Sequence, residues 1–139
     1  MKKYTLDLSS LEKASGSLNE ILVRYAKESA DNAIRDAVIQ RFEYTYSLTL
    51  KMLRRYLELS LDENTAIDEF NFNALIRKSN EIGLLLGNLE KWNGYRLARN
   101  MTSHTYDEKK AIEVVSVVPE FEKEVEFFIK ELKSREAND

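Results

Sequence analysis

Turn-forming residues are scarce in this chain: four glycines and one proline among 139 residues. That is roughly 3.6%, where about 12% is usual. A sandwich or barrel of many short strands needs turn residues about every 8–12 positions. A chain this poor in them is better suited to a few long helices. Its length predicts one domain spanning residues 1–139, with a core large enough to bury about 68–70% of the unfolded surface. Hydrophobic residues at 43% and charged residues at 32% place it among strongly charged globular chains rather than disordered ones.

Hydrophobic spacing assigns the helices. A first helix is expected from about Ser10 to Ala30, with Leu11, Leu18, Leu22 and Tyr25 on one face. Asp31-Asn32 can start a second, because short polar side chains accept hydrogen bonds from free first-turn amides. It should reach about Leu59. Ile34, Val38, Ile39, Phe42, Tyr46, Leu50, Met52, Leu53, Tyr56 and Leu57 cover an arc of roughly 160°, with Asp36, Arg54 and Glu58 opposite and Glu43 at the boundary. A surface helix needs only about 100°. The wider arc suits a central bundle helix, or one that also meets another subunit.

Ser60–Asn71 reads as the longest loop, with room for a short helical turn, and its pairs Asp62-Glu63 and Asp68-Glu69 as solvated charges. Phe72, Leu75, Ile76, Ile82 and Leu86 mark a third helix ending near Gly87, the expected C-terminal glycine. Asn88 caps a fourth, carrying Leu89, Trp92, Leu97 and Met101. Asp107-Glu108 opens another helix, where carboxylates favour the positive N-terminal end. Pro119 should break or restart it, and Phe121, Val125, Phe128, Ile129 and Leu132 continue the apolar stripe. Val114–Val118 has strand propensity but no partner strand, so it reads as helix. The expected fold is all-α, an antiparallel four- to five-helix up-and-down bundle.

Exclusions narrow the chemistry. Without cysteine there are no disulfides, thiolate zinc sites, iron–sulfur clusters or thiol nucleophiles. One histidine is too few for an ordinary zinc site, and no metal or cofactor is expected. A phosphate-cradling glycine loop with lysine, HExxH and GxSxG are all missing. Met1-Lys2-Lys3-Tyr4-Thr5-Leu6-Asp7 has no apolar run after its lysines, so a leader is not expected there, nor is a membrane span anywhere. A cytoplasmic location is the expectation. A net charge of −3 argues against wholesale coating of nucleic acid while leaving room for a local basic site.

One segment concentrates chemistry: Arg96-Leu97-Ala98-Arg99-Asn100-Met101-Thr102-Ser103-His104-Thr105-Tyr106-Asp107. Trp92, Arg96, Arg99 and Ser103 fall within about 60° on a helical wheel, a basic stripe. Arg99 and His104 would diverge by about 140° in a continuous helix. They converge on one ligand only if the helix ends near Ser103 or a second subunit supplies part of the site. Arginine forks bind phosphate oxygens, histidine moves protons near neutral pH, and tyrosine can donate or accept a hydrogen bond. The plainer alternative has Arg96 and Arg99 paired with carboxylates, His104 a structural or surface residue and Tyr106 packed on the core. From the residues alone, this is a helical bundle with a candidate anion site.

Arg99, His104 and Tyr106 match the R-x4-H-x-Y signature of HEPN domains. Arg99-Asn100-Met101-Thr102-Ser103-His104-Thr105-Tyr106-Asp107-Glu108, Val38-Ile39-Gln40-Arg41-Phe42-Glu43 and Trp92 together resemble the HepT-like branch, the nucleotidyltransferase substrate-binding proteins. That resemblance implies a homodimer and a minimal nucleotidyltransferase encoded nearby. It further implies a toxin–antitoxin pair in which this chain is a metal-independent ribonuclease. Arg99 and His104 would be catalytic, and Tyr106 the residue silenced by AMP. Arg96, Asn100 and Ser103 would hold phosphate or nucleotide, with RNA or a nucleotide as ligand. The older reading of the same branch is a non-catalytic substrate-binding subunit, and a third is a structural dimerisation partner. Against RNA cleavage, the sequence shows no obvious aromatic platform on which bases could stack.

Overall fold

The computed structural model describes residues 6–61 and 66–137. Met1–Thr5, read above for a leader, and Asp62-Glu63 lie outside them. Five α-helices follow one another: α1 (Ser9–Lys27), α2 (Asn32–Ser60), α3 (Phe72–Glu81), α4 (Leu89–Met101) and α5 (Glu108–Ala137). Short 3₁₀ turns occupy Ile67–Glu69 and Thr102–His104. Among the described residues there is no strand, and no helix is long and apolar enough to cross a membrane. The all-α bundle expected from hydrophobic spacing is the fold observed.

Side-chain caps set the helix starts. Asp31 Oδ1 accepts from Ala33 N at 2.8 Å, Asn88 Oδ1 from Lys91 N at 3.1 Å, and Asp107 Oδ1 from Lys109 N at 3.0 Å. Each pairs an amide that the helix itself leaves free. At the other end of α1 the helix stops at Lys27, short of the expected Ala30. Glu28 leaves helical geometry, and Asp31 N donates to its carbonyl in a turn.

The third helix also ends earlier than expected, at Glu81, and the terminating glycine is Gly83 rather than Gly87. Gly83 has φ +81°, Leu84 N donates to Ser79 O, and Gly83 N to Asn80 O. That paired pattern closes a helix with a left-handed residue, which glycine adopts without penalty. Gly87 is required for another reason. A Cβ there would sit 2.8 Å from Glu124 Oε1 and 2.9 Å from Lys91 Cβ. Glu124, 2% exposed, accepts hydrogen bonds of 2.7 Å from both Leu86 N and Gly87 N, so it pins the α3–α4 connection to α5. Burial raises its pKa above the ordinary carboxylate value, although these two amides pull it down.

α2 touches every other helix, the central position its wide apolar arc implied. Its Phe42 and Tyr46 meet Phe121 of α5 and Trp92 and Tyr95 of α4 in one aromatic cluster. Phe121 lies 5.1 Å from Phe42 and 5.3 Å from Tyr95, both edge-on. Pro119 interrupts nothing: α5 runs through it. Removing one amide and crowding the preceding turn costs about 3 kcal/mol. Val114, Val118, Phe121 and Val125, fully buried on both sides of it, are worth about 1.5–3 kcal/mol each. Continuing the helix is the only way to bury them on one face. Two leucines placed on apolar stripes prove exposed. Leu86 follows the end of α3, and Leu97 stands about 140° from Trp92 around α4.

Glu122 is 5% exposed, in the α1–α5 seam, and its Oε1 is buried without a hydrogen-bond partner. Burial first, then a hydrogen bond with Glu126 and that residue's charge, push its pKa from 4.5 up to about 8, with Lys123 opposing. Between those values the folded chain holds a proton that the unfolded chain releases, so stability falls as pH rises. Thermal melts across this range should show a falling midpoint. Glu122→Gln should flatten the fall and be more stable than the parent at the alkaline end. Parallel curves would mean that Glu122 is ionised in the fold. Glycine substitutions offer a second check by urea denaturation. Gly87→Ala should destabilise by about 1–3 kcal/mol through overpacking. Gly16→Ala, in α1 with no atom near its added methyl, should stabilise by about 0.5–1 kcal/mol.

Candidate functional site

The α4 helix ends at Met101, and Thr102–His104 form a tighter turn before Asp107 caps α5. The helix break expected near Ser103 is present, but it does not bring the two side chains into one pocket: Arg99 lines the cleft between α2, α3 and α4, and His104 does not. Arg99 lies in the last turn of α4, 35% exposed at its side chain, while His104 and Tyr106 stand on the turn itself. Tyr106 is 87% exposed, so the alternative of a tyrosine packed on the core is wrong. The His104 and Tyr106 rings lie 6.3 Å apart.

A polar clamp holds the motif's first half. Thr102, 8% exposed, donates through its hydroxyl to Glu43 Oε2 at 2.6 Å, with the Arg99 carbonyl 2.8 Å away. The same hydroxyl accepts from Arg99 Nη1 at 3.1 Å. Arg99 Nη1 also faces Glu43 Oε2 at 3.6 Å. Pairing with a carboxylate across the bundle therefore describes Arg99. It does not describe Arg96, whose guanidinium lies 4.7 Å over the Phe72 ring.

Arg96, Arg99 and Asn100 come together on one wall of a cleft of about 530 Å³, completed by Tyr46 and Arg54 of α2 and Phe72 of α3. Ser103, His104 and Tyr106 are not part of that lining. Trp92, placed on the same stripe by its spacing, is fully buried in the core and contributes no ligand contact. Arg54, assigned to the solvent side of α2, instead donates to Ile67 O at 3.3 Å and to Phe70 O at 2.9 Å. Burial pushes the Tyr46 phenol up to about 12, an effect Arg96 and Arg99 partly offset. Among the described residues no cluster of His, Asp and Glu could hold a metal ion.

Several of these residues escaped sequence reasoning. Phe72 read as core, yet it is half-buried and backs Arg96 at the cleft, where no stacking platform was expected. Tyr46 is core as expected, 6% exposed, and also reaches the cleft wall. The one available signal was the Val38–Glu43 block, which contains the carboxylate that meets Arg99. Nothing in the spacing of α2 links Arg54 or Tyr46 to α4, because the contact is made only when the helices pack.

Comparison with known proteins is consistent over the whole length of the fold. Residues 6–134 match the family described as nucleotidyltransferase substrate binding protein like. A Haemophilus influenzae protein named probable ribonuclease HepT is 32% identical, the match covering 96% of this chain and 97% of that protein. A solved Haemophilus influenzae structure, described as revealing the fold of a substrate binding domain of a nucleotidyltransferase, superposes with a TM-score of 0.85. It shares 31% identity over 91% of this chain and 99% of that one. A crystal structure from Thermus thermophilus gives a TM-score of 0.67 at 29% identity, covering 88% of this chain and 98% of that one. With its helical bundle, its Arg99, His104 and Tyr106 motif and a match spanning nearly every residue, the chain belongs to the nucleotidyltransferase substrate-binding, HepT-like family.

Proposed function

We propose that this chain is a metal-independent endoribonuclease, the toxin of a pair whose antitoxin is a minimal nucleotidyltransferase acting on Tyr106. The observation that carries the reading is the end of α4 at Met101. It leaves Arg99 on the helix and presents His104 and Tyr106 on an exposed turn one step beyond. A relative named probable ribonuclease HepT supports it.

The reaction needs only groups of this kind. The 2′-hydroxyl of one nucleotide attacks its own 3′-phosphate, a base accepts the hydroxyl proton, and the 5′-oxygen of the next nucleotide leaves with a proton. A 2′,3′-cyclic phosphate remains. His104 accepts or delivers one of those protons, and Arg99 stabilises the charge gathering on the phosphoryl oxygens. Two chains meeting along their motif turns supply two histidines and two arginines, enough for both proton transfers in one cleft. Arg96, Asn100 and Ser103, all exposed, are assigned to the phosphates and nucleotides of the strand. Regulation follows from the exposure of Tyr106. Its phenolic oxygen attacks the α-phosphorus of ATP held by the partner, pyrophosphate leaves, and the phenol proton is released. The new phosphodiester competes for the arginines and repels the RNA backbone.

A second reading, a non-catalytic substrate-binding subunit, draws on the cleft geometry. The arginine wall can hold a nucleotide, and His104 is not part of it. Incubating the purified protein with RNA in EDTA separates the two. The ribonuclease cleaves, and His104→Ala slows it by roughly 10²- to 10⁴-fold while melting like the parent. Undiminished cleavage by that variant would remove His104 from the mechanism, and no cleavage by the parent would leave the binding subunit. For regulation, co-expression with the neighbouring nucleotidyltransferase and intact-mass spectrometry should show added AMP units on the parent and none on Tyr106→Phe. Equal modification of that variant would remove Tyr106 from the scheme.

A further inference from the structure

The cleft between α2, α3 and α4 has features that phosphate binding alone does not require. Phe72 opens α3, half-buried, behind the cap that Asn71 makes to Ala74 N at 2.9 Å. Its ring backs the Arg96 guanidinium at 4.7 Å, holding a delocalised cation against an aromatic face. Arg54 ties the preceding segment to α2 through the carbonyls of Ile67 and Phe70, and so sets where Phe72 begins. Three guanidiniums line this cleft in a chain of net charge −3, and Glu43, which faces Arg99, is not part of its lining. Among the described residues, the Tyr46 hydroxyl and the Asn100 amide make no hydrogen bond, and both residues line the cleft. They offer one hydroxyl and one amide to a ligand's polar edge. The volume, about 530 Å³, falls in the range of small-ligand sites.

A phosphate alone needs the arginines and nothing else. An aromatic ring with a guanidinium laid on it, beside free donors and acceptors, suits an unstacked base. We propose that this cleft is a nucleobase subsite: one base of single-stranded RNA stacks against the Arg96–Phe72 pair, Tyr46 and Asn100 meet its polar edge, and its phosphate faces Arg99. The proposal deepens the ribonuclease reading and rests on it for the identity of the strand. It assigns base preference to residues of α2, α3 and α4, apart from the His104 turn where proton transfer takes place. A base held here places the neighbouring phosphodiester toward the end of α4, so binding and cleavage share Arg99 but are otherwise separable.

The test uses the full chain and four 2′-O-methyl hexanucleotides, oligo-A, -C, -G and -U, which bind without being cleaved. Fluorescence anisotropy should rank the four. Phe72→Leu keeps apolar bulk but removes the ring, and should weaken the preferred oligomer by about 5- to 100-fold and flatten the ranking. Arg96→Gln, at an exposed position that leaves the core intact, should act in the same direction if Phe72→Leu fails to fold. Parent-like affinity and ranking in the variants would overturn the subsite. Cleavage of unmodified RNA in EDTA is scored separately. Phe72-dependent binding without cleavage would keep the subsite and reject the ribonuclease. Cleavage with Phe72-independent binding would do the reverse, and neither binding nor cleavage would reject both.

Discussion

Phe121 occupies the point where α2, α4 and α5 meet. Its fully buried ring contacts Phe42, Tyr46, Trp92 and Tyr95 at centroid distances of 5.1–6.1 Å. Such tilted and edge-on pairs add about 0.5–1.5 kcal/mol each beyond the area they bury. They are also directional, so they set the mutual rotation of three helices as well as their spacing. Tyr46 belongs both to this cluster and to the cleft wall, and Tyr95 immediately precedes Arg96. The aromatic core is thus the floor beneath the arginines, and a shift of Phe121 would move the candidate site with it.

Buried charge holds the other end of α4. Glu124 would be costly in an apolar interior, but two backbone amides of the α3–α4 turn hydrogen-bond its carboxylate. Bonds to a charged acceptor are worth about 1.5–3 kcal/mol, against the cost of leaving those amides unpaired. Near the C-terminus Arg135 does similar work, donating to Ile82 O, to Tyr56 Oη and to Glu131. These contacts close the bundle around α3, the short helix that brings Phe72 to the cleft. Glu122 is the exception, a buried carboxyl without such partners, and it stays protonated well above the usual range.

The candidate site divides into a rigid part and an exposed part. Arg99 is held through Thr102 and Glu43, which belong to different helical segments, and Arg96 is backed by Phe72. His104 and Tyr106 stand in solvent on the turn between two capped helices. The arginines of the cleft thus sit on firm elements, while the groups proposed for proton transfer and modification sit where another macromolecule can reach them. A negative chain gains a cationic cleft by local placement, since Arg54, Arg96 and Arg99 come from two helices that α3 bridges.

Local chemistry made much of this legible from the sequence. A bundle of four to five helices follows from spacing and scarce turn residues, the starts of three of them from Asp31, Asn88 and Asp107, and the family from Arg99, His104, Tyr106 and their neighbours. These signals act within a few residues along the chain, where propensity, capping and motif spacing operate. Tertiary structure decided the rest. Pro119 lies inside a helix because the valines and Phe121 around it are buried against other helices. Gly87 is needed for a carboxylate 37 residues away, and Arg99 is clamped with Thr102 by a glutamate 59 residues from that threonine. The Phe72–Arg96 stack exists only once α3 is laid against α4. Such pairings depend on which faces meet after burial is satisfied, and no local pattern encodes a meeting between segments so far apart.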